Sequence, residues 1–142
     1  MMKTRAEIIK RITDLFSTHF SSEILAVLLF GSVARERTNS ESDIDIAVLF
    51  DFAIPKERRK QLVYGIYEHI PYYFIEPVDI VNLNDADLIL SYQVLTKGEL
   101  ILCRREIEFK IFRDSRLVQY LDFNKFLEPF YPKISKALRG EN

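Results

Sequence analysis

Apolar and polar positions alternate along this chain with two different periods, and the changes of period mark its elements. Ile8, Ile9, Ile12, Leu15 and Phe16 recur at helical spacing, while Lys3, Glu7, Lys10, Arg11 and Asp14 fall largely on the other side. That pattern predicts an amphipathic opening helix over residues 4–18. ILAVLLF, Ile24 to Phe30, is a short continuous apolar run stopped by Gly31. It is too short for a useful helix and suits a strand buried on both faces.

Residues 33–42 are polar and read as a loop, with room for one helical turn after Ser32, before a second strand, Asp43 to Phe50. Pro55 can open a helix whose apolar stripe, Leu62, Val63, Ile66 and His69–Ile70, runs toward Pro71. Val78 to Leu83 is a third strand. Asn84 or Asp85 can cap a helix to about Thr96, terminated at Gly98, and Glu99 to Cys103 follows as an edge strand. From about residue 105 the pattern is mostly helical, broken near Pro129. Strands alternating with helices predict an α/β or α+β fold, a small mixed sheet flanked by helices, as one domain over 1–142 whose tail, about 105–142, is a helical segment.

Composition narrows the class. With 142 residues, 48% of them hydrophobic and 29% charged, the chain can bury a core of its own. Twenty basic residues against 21 acidic ones leave no general positive field, so direct nucleic-acid binding is not expected. The charged, periodic N-terminus lacks the apolar core of a secretory signal and no stretch suits a membrane span, which reads as a cytoplasmic protein. Cys103 stands alone in LILC and reads as a buried, inert thiol. His19 and His69 have no second ligand at metal spacing. Tyr64, Tyr67, Tyr72 and Tyr73 can stack an adenine or meet a protein partner, but read more readily as residues that finish a core.

The candidate chemistry lies in LFGSVARERTNSESDIDIAVLF, from Leu29 to Phe50. On a strand, Asp43 and Asp45 share a face with Cα atoms about 6.6 Å apart, while Ile44, Ile46 and Val48 fill the other. With nine aspartates in the chain, one Asp-x-Asp is unsurprising by chance, and a second, Asp85–Ala86–Asp87, reads as a helix N-terminus. The setting separates the two. Unpaired carboxylates on a buried strand need a cation, and magnesium takes oxygen ligands from both protein and phosphate. Upstream, Gly31 lets the backbone approach a phosphate, and the Ser32 hydroxyl can donate to it. Arg35 can neutralise triphosphate charge, with Arg37 a second loop arginine.

Strand, Gly31-Ser32, ten residues, then Asp43-x-Asp45 on another strand resembles the signature of the nucleotidyltransferase superfamily that includes DNA polymerase beta. GSVARERTNSESDIDIAV, VDIVNLNDADLILSYQVLTKGELILCRR and FRDSRLVQYLDF resemble its minimal nucleotidyltransferases, the MNT or MntA-type antitoxins paired with HEPN-domain toxins. Glu36 departs from the commoner pattern, in which a glycine follows the loop arginine. The resemblance implies a polymerase beta-like fold and a third carboxylate at Asp79, itself conspicuous inside an apolar run.

It further implies that Asp43, Asp45 and Asp79 hold one or two Mg2+ ions, that Gly31, Ser32 and Arg35 grip the phosphates of ATP, and that AMP passes to a hydroxyl. The implied acceptor is a tyrosine of a cognate HEPN ribonuclease toxin. Two alternatives stand beside that reading: an antitoxin that neutralises by binding alone, and a small-molecule nucleotidyltransferase of the aminoglycoside-modifying type.

Overall fold

In a computed structural model, residues 4–31 and 43–141 are described. The opening helix α1 spans Arg5–Thr18, with the Thr4 hydroxyl accepting from the Glu7 amide at its N-terminus. Strands β1 (Ile24–Phe30) and β2 (Ile44–Phe50) follow, then α2 (Lys56–His69), β3 (Val78–Asn82), α3 (Leu88–Lys97), β4 (Glu99–Cys103) and α4 (Glu106–Leu127). A 3-10 turn at Glu128–Phe130 leads into α5 (Tyr131–Leu138). The helical tail is thus broken near Pro129 as expected, the proline sitting in the first turn of the 3-10 segment, where its missing donor had no partner.

The strands form one sheet in the order β3-β2-β1-β4. β1 runs antiparallel to β2 and β4, whereas β2 and β3 are parallel, so the sheet is mixed as expected. The two central strands are covered on both faces. Ile44, Ile46, Val48 and Phe50 pack with Val27 and Leu29 against Ile8, Ile12 and Leu15 of α1 and Leu62 and Ile66 of α2. Ala47 and Leu49, pointing the other way, join Leu25, Leu28, Val94, Leu95 and Phe109 under α3 and α4. This double burial explains why β1 and β2 read as continuous apolar runs.

Several sequence expectations shift locally. Asn84 caps no helix: its side chain accepts from the Phe50 amide at 2.8 Å and donates to the Phe50 carbonyl at 3.1 Å, extending the ladder beyond the end of β2. The cap of α3 is Asp87, whose carboxylate accepts from the Leu90 amide. Asp85 instead forms a two-pronged ion pair with Arg59 at 2.6 and 2.8 Å. Tyr64 and Tyr72 are 71% and 84% exposed and finish no core, while Tyr73 packs against it. Tyr67 is partly exposed, its hydroxyl accepting from the Ile80 amide at the outer edge of β3. Cys103 is only half-buried on edge strand β4, where burial raises its thiol pKa. Among the described residues no helix is long and apolar enough to cross a membrane.

Because Asp87 satisfies an orphan amide and Ile46 is fully buried, their losses should differ in size. Urea unfolding is expected to show about 1 kcal/mol for Asp87→Ala and about 2–5 kcal/mol for Ile46→Ala.

Candidate functional site

One end of the sheet gathers the predicted residues. Phe30, the last residue of β1, pairs with Asp45 on β2, and Asp45 pairs in parallel with Asp79 on β3. Residues abreast in neighbouring strands share a face, so Asp45 and Asp79 project together on the side covered by α3 and α4. Asp43 precedes β2 by one residue and is exposed, as is Asp79; Asp45 is half-buried. Ser32, Arg35 and Arg37 lie outside the described residues.

Gly31 is fixed by two separate constraints. Its φ is +77°, a conformation that side chains rarely adopt, and a Cβ there would overlap the carboxylate oxygen Oδ2 of Asp45. The chain turns out of β1 directly over the Asp45 carboxylate. A phosphate drawn to the glycine backbone would therefore lie within reach of whatever cation the carboxylates attract.

Electrostatics distinguishes these aspartates from others in the chain. At the opposite end of β2, Asp51 accepts from the Ala53 amide and meets Arg104 and Arg105 at 3.1 and 3.2 Å, which holds its pKa below the usual carboxylate range. Hydrogen bonding from Arg59 similarly lowers Asp85, so the second Asp-x-Asp is accounted for by ion pairing and helix capping. Asp45 shows the reverse: burial, then the charges of Asp79 and Asp43, push its pKa up. A carboxylate held among other carboxylates favours a nearby positive charge.

The donor set suits a hard divalent cation, since all three groups are carboxylates and one is destabilised by the others. Among the described residues no three acidic, histidine or cysteine side chains converge as a group that could hold a metal ion by themselves. Magnesium commonly takes part of its oxygen ligands from substrate phosphates.

Beside Gly31 opens a cavity of about 240 Å3 lined by Phe30, Gly31, Gln93 and Lys97. Sequence reasoning missed Gln93 and Lys97. Their nearness to Gly31 depends on how the end of α3 packs on β1, and the only local signal was Gly98 as a helix terminator.

Comparison with known proteins agrees with this geometry. The family model described as polymerase beta, nucleotidyltransferase, matches residues 10–107. A chain of a toxin–antitoxin complex with AMP-PNP is similar at a TM-score of 0.65 and 22% identity, with 94% of this chain and 99% of that one covered. A chain of the complex of tri-AMPylated Shewanella oneidensis HEPN toxin with MNT antitoxin is similar at a TM-score of 0.65 and 20% identity, covering 93% and 99%. A third, from the MntA–HepT toxin–antitoxin complex, has a TM-score of 0.62 and 21% identity over 89% and 96%. At these identities the likeness establishes the fold. Comparison with curated proteins finds no match.

The raised pKa of Asp45 has a stability consequence. Its charged form is disfavoured in the fold, so ionised Asp45 destabilises at neutral pH, and the penalty is relieved as pH falls below its folded pKa. Asp51 and Asp85 act in the opposite sense: their contribution is present above the ordinary carboxylate pKa and is lost as pH falls through their lowered values. In EDTA at pH 7, Asp45→Asn is expected to melt above the wild type, by about 2–4 °C for each kcal/mol relieved, with the difference shrinking on acidification. A melting temperature equal to or below that of the wild type would contradict this picture of the carboxylate cluster.

Proposed function

The chain belongs to the polymerase beta nucleotidyltransferase family, and from that premise we propose that it transfers AMP from ATP to a tyrosine hydroxyl of a HEPN-domain toxin, as that toxin's antitoxin. The observation that carries the reading is the Asp45 carboxylate, crowded by Asp79 and Asp43 and roofed by a glycine that cannot be replaced without overlap. Nucleotidyl transfer asks for this combination, a concentrated negative site next to backbone that a triphosphate can approach.

In this reading Gly31 and Ser32 grip the triphosphate and Arg35 offsets part of its charge. Magnesium, when held by Asp43, Asp45 and Asp79, supplies positive charge to three aspartates and a triphosphate that together carry about seven negative charges. Asp79 lies nearest the outer edge of the sheet and accepts the proton of the incoming hydroxyl. The freed oxygen forms a bond to the α-phosphorus as the bond from that phosphorus to pyrophosphate breaks. AMP stays on the acceptor and pyrophosphate leaves.

A protein acceptor is supported from two sides. The neighbours of like fold include complexes described as carrying AMP-PNP and a tri-AMPylated HEPN toxin. In addition, Ile107, Ile111, Val118 and Leu121 are exposed at spacings that put them on one face of α4. Such an exposed apolar stripe suits docking on another protein.

The test is to mix the purified protein with a HEPN-domain protein encoded beside it, ATP and magnesium, and to read intact masses. The partner is expected to gain one or more AMP units, localised to tyrosine, and none with Asp43→Asn/Asp45→Asn. A partner that is inhibited yet unmodified would replace this reading with neutralisation by binding. The absence of such a neighbour, together with adenylylation of a small hydroxylated compound, would replace it with the small-molecule reading.

A further inference from the structure

The cavity beside Gly31 lies on the far side of the glycine turn from Asp79. Across this end of the sheet the order is Asp79 on β3, Asp45 on β2, Phe30–Gly31 on β1, then the junction of α3 with β4. That junction sits close to β1 because residue 98 has no side chain. A Cβ on Gly98 would overlap the Val94 carbonyl oxygen and would come within 3.3 Å of the Leu29 carbonyl and 3.4 Å of the Phe30 side chain. The last turn of α3 is thus seated against the strand end that carries the glycine turn, and its final residue, Lys97, lines the same cavity as Gly31. Gln93, one turn earlier, lies on the same helix face and lines it too.

Among the described residues no carboxylate lies within ion-pair distance of Lys97, and Glu99, two residues on, is paired with Arg5. Position in the last turn of a helix also favours a cation, since the unpaired carbonyls there carry partial negative charge. An ammonium with no carboxylate partner among the described residues therefore lines a space that shares its Gly31 wall with the Asp45 carboxylate.

We propose that Lys97, with Gln93 beside it, forms the subsite for the β- and γ-phosphates of the nucleoside triphosphate. The inference rests on the nucleotidyl-transfer reading above and adds to it the place of the leaving group. In an in-line displacement the entering and departing oxygens lie on opposite sides of the phosphorus. With the acceptor entering on the Asp79 side, the pyrophosphate departs past Gly31 toward Lys97. Even two divalent ions would leave about three of the roughly seven negative charges unbalanced, and an ammonium on the departing side offsets one of them. The Gln93 amide supplies an uncharged donor to the same oxygens.

The experiment compares Mg·ATP and AMP binding to the full chain by calorimetry, for the wild type, Lys97→Met and Lys97→Arg. Lys97 is exposed, so neither substitution removes a core contact. Lys97→Met is expected to weaken ATP binding about tenfold or more while leaving AMP within about twofold, and Lys97→Arg to recover most of the loss. Equal ATP affinity in Lys97→Met, or a parallel loss of ATP and AMP, would overturn the subsite while leaving nucleotidyl transfer standing. A wild-type chain that binds neither nucleotide would overturn both.

Discussion

The close approach of the Gly31 backbone to the Asp45 carboxylate is the contact through which the rest of the site is organised. It exists because β1 and β2 are paired so that Phe30 and Asp45 are abreast, which puts the turn out of one strand directly over the side chain of the other. The pairing is held by burial: Val27, Leu29, Ile44, Ile46 and Val48 interlock on one face, with Leu28, Ala47 and Leu49 on the other. A slip of one residue would invert every one of these side chains and turn Asp45 into the core. The apolar register thus also serves as the register of the polar end.

The same dependence explains what could be read from sequence. The strands, their double burial and the shared face of Asp43 and Asp45 follow from periodicity of two and from continuous apolar runs, both local properties. The positive φ of Gly31 is likewise foreshadowed by glycine at a strand end. Asp79 became legible through an aspartate in an apolar run together with family resemblance, and the parallel pairing of β3 with β2 puts it abreast of Asp45. What was not legible rests on contacts between distant segments. The cap of α3 is Asp87 because Asn84 is drawn to Phe50 and Asp85 to Arg59, 34 and 26 residues away. Tyr64 and Tyr72 resemble core residues by chemistry, but α2 already buries Leu62 and Ile66 and leaves Tyr64 outward, and Tyr72, in the 3-10 turn after α2, is exposed as well. Lys97 carries no local mark beyond the helix-terminating Gly98 that follows it.

Charge is distributed unevenly over the sheet. At one end Asp51 is met by Arg104 and Arg105, and beside it Asp85 is met by Arg59, so the fold there gains from ionised carboxylates. At the other end burial, and after it the charges of Asp79 and Asp43, raise Asp45, and the fold loses from ionisation. Chains that sit only modestly above their unfolding threshold do not keep such an arrangement for stability. Compensation comes from the apolar layers on either side of β2, which fix the strand strongly enough to hold its charged end.

This division has a counterpart along the chain. The family match ends at residue 107, where α4 has barely begun, so the sheet, the glycine turn and all three aspartates fall inside it while most of the exposed stripe of Ile111, Val118 and Leu121 falls outside. Phosphoryl chemistry constrains the first part tightly, since distances at a reacting phosphorus leave little freedom. A docking helix is constrained only by the shape and polarity of what it meets. Under the proposed reading, an acceptor surface on a helix that buries only Phe109 could vary without disturbing the register that aligns Gly31 with Asp45. Acceptor specificity and competence for transfer would then be carried by different contacts of one small fold.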